Sequence, residues 1–295
     1  MEAAPQHKRA NLIIGLVVRL LLGVIFILSA GAKLWSVDQF ELYIYSYGFF
    51  SLNLSFIIAR LCIGIELALG VLLLIGWMKR LTLTIAALIL LAFSIFLGYA
   101  ALAGRSDSCQ CFGQLVDMPP TVSLLKNAIL LLLTLLCTKF SAHIKKRRWH
   151  TWATLGIVIA GLAMPFVVSV PDNWMFGTSG ERYDAERLTQ IIDGPLADRE
   201  LRNGNKIIAF VTPGCPYCRM TRQKLDYIAN RNHLVPGDIV YVEPGDIGTA
   251  TFLETTRGAS PLVLLLEDGT VAATFHYRNI DERKISNALL QEDER

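Results

Sequence analysis

The 295-residue sequence has little net charge, no internal repeat and no low-complexity segment. Its 28 basic and 25 acidic residues leave a formal charge of +3, which is not the basic excess typical of proteins that bind nucleic acid. Charged residues make up only 18% of the chain, whereas 53% is hydrophobic and the mean hydropathy is +0.44. These values are too apolar for a soluble protein, so we expect part of the chain to lie in a membrane.

The apolar residues concentrate before about residue 170, in five runs. Each run has about the 17–25 residues that a helix needs to cross a hydrocarbon core of about 30 Å. We predict membrane spans at residues 11–33, 54–77, 81–103, 121–140 and 153–170. The sequence after residue 170 has the composition of an ordinary soluble domain.

The basic residues predict the orientation of these spans. They precede the first run, separate the second from the third and separate the fourth from the fifth, at positions 7–9, 79–80 and 145–148. The positive-inside rule then places the N-terminus in the cytoplasm and the residues after 170 on the opposite, periplasmic side of the membrane. We expect this membrane to be the inner membrane of a bacterium. Alternatively, residues 8–32 are a signal peptide cleaved after Ala32, although Arg19 interrupts the apolar run; cleavage leaves the later segments on the same face.

Two pairs of cysteines fall on the predicted outer face. Cys109 and Cys111 lie between the third and fourth spans, and Cys215 and Cys218 follow a buried strand predicted at residues 205–212. A thiol at the start of a helix has a lowered pKa, so we predict that Cys215 is the nucleophile and Cys218 the resolving thiol. Half of a zinc site and a structural disulfide are the alternatives, although a zinc site lacks its second cysteine pair here.

The remaining elements suggest a fold for this region. We predict a strand at 239–242, a helix at 246–257, two strands joined by a hairpin turn at Asp268-Gly269, and a final helix at 281–291. Together with the Cys215–Cys218 motif and the Ser260-Pro261 pair before a strand, this order resembles the thioredoxin-like family over residues 181–295. The resemblance implies that Pro261 is cis and faces the cysteines; an ordinary strand-opening proline is the alternative.

Two departures from the thioredoxin-like pattern limit that resemblance. Ala209 stands where thioredoxins carry a buried aspartate, and no Gly-Gly pair follows Pro261. The second departure argues against glutathione as a substrate.

The membrane region resembles a second family. The matching residues are Arg19–Gly23, Phe26, Gly31, Lys33, Phe40, Tyr47, Glu66–Gly70 and Cys109–Gly113. They are similar to the motifs of the MauE/DoxX membrane proteins over residues 11–140. The resemblance implies a four-helix membrane core that acts in disulfide maturation with a thioredoxin-like partner, and DoxX relatives link thiol or thiosulfate oxidation to quinone.

The two resemblances together predict the organisation of the whole chain. Residues 1–150 form a MauE/DoxX-like four-helix α-helical membrane bundle, 151–180 a fifth transmembrane helix and linker, and 181–295 an α/β thioredoxin-like domain outside the cytoplasm.

Charged residues inside the spans are candidates for function. Arg19 and Glu66 lie at about 12 Å and 16 Å from the inner surface, so we predict a structural ion pair, with a proton relay as the alternative. Arg60 and Lys126 lie in the outer third, where they form a candidate quinone site or simply snorkel to the surface. Cys62 lies near enough in depth to join a thiol relay, although buried cysteines, including Cys137, are usually small hydrophobes.

The spacing of Cys109 and Cys111 is unfavourable for an ordinary disulfide. Alternate residues of a strand are about 6.7 Å apart, at the upper edge of disulfide geometry, so such a bond is strained and oxidising. A Cu(I) site and separate structural partners are the alternatives.

The sequence therefore predicts a membrane thiol–disulfide oxidoreductase without a metal. It would pass electrons from extracytoplasmic client proteins through Cys215 and Cys218 to Cys109 and Cys111, and on to quinone. Export of reductant, soft-metal handling and an assembly factor with vestigial cysteine pairs are the alternatives.

Overall fold

The structure is a computed structural model that describes residues 6–77, 79–103, 119–140, 148–170, 183–235 and 237–290. Cys109, Cys111 and the predicted linker after residue 170 lie outside the described residues. The described part of the chain divides into two compact units, the first within 1–47 and 54–170 and the second within 48–53 and 171–295.

The first unit is helical throughout its described residues. Its helices are α1 (Gln6–Trp35), α2 (Val37–Tyr45), α3 (Leu52–Ile75), α4 (Lys79–Leu102), α5 (Pro120–Phe140) and α6 (Arg148–Val168). All except α2 are long and apolar enough to cross a membrane, with candidate spans at Ile13–Trp35, Leu52–Ile75, Arg80–Leu102, Thr121–Lys139 and Trp149–Val168. The five predicted spans are therefore confirmed to within a few residues.

Helix α2 was not predicted from the sequence. Asp38 and Glu41 interrupt its apolar residues, a pattern that resembles a connecting loop. In the structure seven of its nine residues are buried, including Glu41. A short helix buried on most of its surface gives no clear amphipathic pattern, which is why its sequence did not show it.

Small residues set how the long helices pack. A side chain at Gly23 of α1 would lie 3.0 Å from the carbonyl oxygen of Gly70 in α3, so the two backbones touch here. Gly161 of α6 comes equally close to Ala68 of α3, where an added Cβ would lie 2.9 Å from the alanine Cβ. Close approach through small residues is typical of membrane helices, and it fixes the register of α1 and α6 against α3.

In its described residues the second unit contains a four-stranded mixed sheet and five helices. The strands are β1 (Asn205–Phe210), β2 (Ile239–Val242), β3 (Leu262–Glu267) and β4 (Thr270–His276), in the order β2-β1-β3-β4. β1 pairs with β2 in parallel and with β3 antiparallel, and β3 pairs with β4 antiparallel. The helices are α7 (Ala185–Asp193), α8 (Pro216–Asn232), α9 (Pro244–Ile247), α10 (Thr249–Thr256) and α11 (Glu282–Leu290), with a short 3₁₀ turn at Ala197–Arg199.

The four predicted strands and the helix after Cys215 are confirmed. Asp268 and Gly269 both have positive φ, of 49° and 78°, as a two-residue hairpin turn requires. The helix predicted at 246–257 is interrupted at Gly248, whose φ of 85° separates α9 from α10. Helix α7 was not predicted, although Asp184 caps it and Leu188, Ile191 and Ile192 bury one face of it.

Candidate functional site

Cys215 lies at the start of α8, a few residues after the end of β1. β1 is buried from Ile207 to Phe210, so it holds the turn at Pro213-Gly214 at the edge of the core. Gly214 has a φ of 78°, which lets the chain reverse before the helix. Cys215 is the N-cap residue of α8 and Pro216 is its first helical residue, an arrangement that leaves backbone N–H groups directed at the Cys215 sulfur.

These N–H groups and a neighbouring thiol favour the ionised form of Cys215. Burial opposes ionisation, but the Cys218 thiol and the backbone N–H groups of Cys218 and Tyr217 outweigh it, so the pKa of Cys215 is lowered. The N–H of Cys218 donates to the Cys215 Sγ at 3.4 Å. Cys215 is partly exposed and not disulfide-bonded in this structure. Its accessibility and its lowered pKa are the properties expected of the attacking thiol of a cysteine pair.

Cys218 has the opposite environment. It is 3% exposed, and burial together with the hydrogen-bonded Cys215 sulfur raises the pKa of its thiol. The Thr212 N–H donates to its Sγ at 3.3 Å, and the Ser260 Oγ lies 3.2 Å from the same atom. Ser260 also hydrogen-bonds the Thr212 hydroxyl at 2.8 Å. A buried thiol with a raised pKa, one turn from an accessible thiol with a lowered pKa, is suited to resolving a mixed disulfide.

The Ser260–Pro261 peptide bond is cis, as expected from the thioredoxin-like resemblance. Since Ser260 contacts the Cys218 sulfur, the loop before β3 lies directly against the cysteine pair. Pro261 itself is buried at the start of this strand.

A shallow cavity of about 200 Å³ opens beside the two cysteines. Arg219, Arg222 and Glu243 contribute to its lining. Arg222 is paired with Glu243 at 2.8 Å and stacks on Tyr241, so its charge is compensated. Tyr217, between the two cysteines, is 46% exposed and packs against Tyr277 with ring centroids 4.6 Å apart. The site therefore presents the Cys215 thiol, with its lowered pKa, beside an exposed aromatic surface.

The charged residues of the membrane unit are arranged differently from the prediction. Arg60 is fully buried and donates an ion-paired hydrogen bond to Glu41, which is equally buried. Its other bonds reach the carbonyl oxygens of Phe56, Ser169 and Val170 and the Ser169 hydroxyl, at 2.6–3.3 Å. Arg60 thus joins α2 and α3 to the end of α6, and it is not among the residues that line the cavity containing Lys126. The structure therefore does not bring Arg60 and Lys126 together in one cavity, contrary to the prediction.

The predicted ion pair between Arg19 and Glu66 is also wrong. Glu66 pairs with Lys33 and accepts a hydrogen bond from the Ser29 hydroxyl at 3.1 Å. The guanidinium of Arg19 lies against Gly76, where it occupies the space that a Cβ would fill. The contact of Gly23 with Gly70 explains this result, because it places Arg19 level with the end of α3, about 15 Å from Glu66 along that helix.

Lys126 lines a cavity of about 340 Å³ inside the membrane unit, together with Cys62 and the Lys33–Glu66 pair. Cys62 therefore lies beside charged groups rather than in a purely apolar core. Cys137 is 1% exposed, and its Sγ contacts the Gly15 carbonyl oxygen at 3.4 Å. The predicted roles of Cys109 and Cys111 fall on residues outside those that the structure describes.

Comparison with known proteins places the membrane unit in context. Residues 11–140 match the family described as methylamine utilisation protein MauE. The membrane region is similar to MauE. Protein TlpB of Flavobacterium psychrophilum is 25% identical, in a match that covers 74% of this chain and 73% of the relative. No solved structure gives a significant match. The MauE-like region contains every residue of the 340 Å³ cavity and also the Cys109–Cys111 pair.

Several residues of these sites were not predicted to act there. Thr212 and Ser260 contact the Cys218 sulfur, but they are 48 residues apart and no local motif joins them. The sequence pattern assigns Lys33 only to the MauE/DoxX-like motif and predicts no role for Asn127. The signal for Lys33 was present, since it is a second basic residue in the same apolar run and needs a partner as much as Arg19 does.

Proposed function

We propose that this chain is a membrane thiol–disulfide oxidoreductase. Cys215 forms a mixed disulfide with a cysteine of an extracytoplasmic protein, and Cys218 resolves this mixed disulfide. The observation that carries this proposal is the contrast between the two thiols: Cys215 is accessible with a lowered pKa, and Cys218 is buried with a raised pKa.

The arrangement around the cysteines supports a thioredoxin-like domain. The parallel β1–α8–β2 unit, the antiparallel pairing of β3 on the other side of β1, and the cis Ser260–Pro261 bond beside Cys218 are all expected of that fold. The sequence predicted these strands and the helix, and the thioredoxin-like resemblance implied the cis proline; the pairing of the strands comes from the structure. We infer from the basic loops that this domain lies outside the cytoplasmic membrane.

We further propose that the net reaction forms disulfides in client proteins. A fold that stabilises the thiolate of Cys215 stabilises the reduced form of the pair, so the corresponding disulfide is a stronger oxidant. Electrons taken from clients then pass by mixed disulfides to Cys109 and Cys111 and on to a quinone. Export of reductant is the same chain of reactions in reverse.

The test traps the exchange with clients in membranes. The Cys218→Ala variant cannot resolve a mixed disulfide, so Cys215 should accumulate in disulfides with client proteins or with Cys109 or Cys111. The Cys215→Ala variant is the matched control, because its remaining Cys218 is buried and should trap little. Mass spectrometry of the linked peptides identifies both partners.

The direction is measured in the same membranes. Added quinone should increase the oxidised fraction of both pairs in the unmodified protein. If Cys218→Ala traps no partner through Cys215, the exchange function is wrong. If copper or another soft metal co-purifies with the reduced protein and is lost in Cys109→Ser, metal handling replaces it.

A further inference from the structure

A cavity of about 340 Å³ lies among α1 to α5 of the first unit. We call it the membrane cavity. Its volume is in the range of small-molecule sites, which are mostly apolar with a few placed polar groups. Phe26, Phe40, Phe93 and Phe96 form much of its wall, and the helices around it are four of the five candidate spans together with α2. Such a wall suits a flat, apolar ring.

One polar group of the membrane cavity has no hydrogen-bond partner in the part of the chain that the structure describes. Asn127 lines the cavity and is 2% exposed, and its Nδ2 lacks a hydrogen-bond partner among the described residues. A buried donor without a partner is costly, and inside a bilayer no bulk water satisfies it. A ligand with a hydrogen-bond acceptor would supply that partner.

Charged groups line the same cavity. Lys33 pairs with Glu66, donates to the Ser29 hydroxyl at 3.2 Å, and lies 5.5 Å and 5.7 Å from the ring centroids of Phe40 and Phe93. Lys126 adds a second basic group on the wall next to Asn127. Two basic groups and one acidic group favour an acceptor that becomes negatively charged.

We propose that the membrane cavity binds a quinone, with Asn127 and Lys126 as donors to its carbonyl oxygen. The ring fits the aromatic wall, the carbonyl satisfies the amide, and the basic groups stabilise the charge that develops on reduction. The Lys33–Glu66 pair on the cavity wall, with Lys33 buried and Glu66 partly buried, holds a proton next to the ring.

This inference rests on the proposed function for the source of electrons. The dithiol of Cys109 and Cys111 loses two electrons and two protons and becomes a disulfide, while the quinone gains both and becomes a quinol. The segment containing these cysteines connects α4 to α5. Phe96 lies six residues before the end of α4, and Lys126 lies six residues after the start of α5. Each distance is about 9 Å along its helix.

The test measures quinone binding to the full-length protein in lipid nanodiscs. The probes are a short-chain benzoquinone and a naphthoquinone without a tail, and dissociation constants are determined by equilibrium dialysis. Asn127→Leu and Lys126→Met should each raise the dissociation constant about three- to tenfold, the effect of one lost hydrogen bond. Thr134→Val and Lys139→Met, on the same helix but outside the cavity lining, should leave it unchanged.

Two results would overturn the quinone site. The first is equal binding by the cavity variants and their controls. The second is displacement of the quinone by a fatty acid with no dependence on Asn127, which would make the cavity a lipid-chain site. Thermal unfolding of each variant without quinone shows whether it is folded.

Disulfide exchange between Cys215 and a cysteine peptide, measured without quinone, separates this inference from the proposed function. Exchange that persists while quinone binding fails to depend on the cavity leaves the oxidoreductase in place and removes only the quinone site.

Discussion

The ionisation of Cys215 can be tested by removing one of the groups that stabilise it. Three hydrogen bonds favour its thiolate: those of the Cys218 thiol, the Cys218 N–H and the Tyr217 N–H. The substitution Cys218→Ala removes the thiol and keeps both backbone groups, because the helix start is set by Pro216 and not by the side chain of Cys218. The pKa of Cys215 should rise towards the ordinary thiol value of about 8.5.

The size of this rise follows from the strength of the lost bond. A hydrogen bond to a charged group contributes about 1.5–3 kcal/mol, and one pKa unit corresponds to about 1.4 kcal/mol. A thiol is a weak donor and Cys215 is partly solvated, so about 0.5–1 unit is the expected rise. The two remaining N–H groups continue to lower the pKa of Cys215 against the effect of burial.

The assay is the rate of alkylation of Cys215 as a function of pH, followed by mass spectrometry of the peptide that contains it. Because only the thiolate reacts, the rate should fall as the pH drops through the pKa, and the midpoint should lie higher in Cys218→Ala. Ser260→Ala is the control, because it removes a contact of the Cys218 sulfur but leaves the Cys218 thiol in place beside Cys215. An unchanged midpoint in Cys218→Ala, or an equal shift in Ser260→Ala, would refute the assignment.

Three further predictions concern packing and charge. Arg60→Met should lower the free energy of unfolding of the membrane unit by about 3–5 kcal/mol, because Glu41 stays buried without its partner; adding Glu41→Gln should restore part of the loss in denaturant titration. Gly161→Val should lower it by about 1–3 kcal/mol through the contact with Ala68, whereas Gly156→Val, with open space around it, should change it little. Thr212→Val removes the hydroxyl that bonds Ser260 but keeps the N–H to Cys218; the rate of mixed-disulfide resolution should change less than in Cys218→Ala, as measured by stopped-flow exchange with a peptide.

Local sequence patterns were enough to predict the elements that hold Cys215. A short β-branched strand, a Pro-Gly break and a helix starting at a cysteine are all encoded within about twenty-five residues. The same holds for the five spans, since their length and hydropathy depend only on neighbouring residues. The contacts of Ser260 with Cys218 and Thr212 cross more than forty residues, and no periodicity reports such a contact.

The charged pairs of the membrane unit show why depth along a helix is a weak guide to partners. Counting residues from the predicted helix ends placed Arg19 and Glu66 at similar depth. The backbones of α1 and α3 instead meet where Gly23 touches Gly70, and that contact moves Arg19 to the end of α3. An error of two or three residues in a helix end displaces a side chain by about 3–5 Å, more than an ion pair tolerates.

The corrected pairing changes what the membrane unit can do. Arg60 is fully committed to Glu41 and to the end of α6, so it holds helices together and is unavailable to a ligand. Lys33 and Glu66 instead lie on the wall of the membrane cavity, beside Lys126 and Asn127. Removing the structural pair from the candidate site and placing the Lys33–Glu66 pair in it leaves, among the described residues, one intramembrane location where charge, an unsatisfied amide and an aromatic wall coincide. Coupling of the membrane unit to a quinone, as proposed above, therefore depends on this cavity, and the binding constants of the Asn127 and Lys126 variants test it.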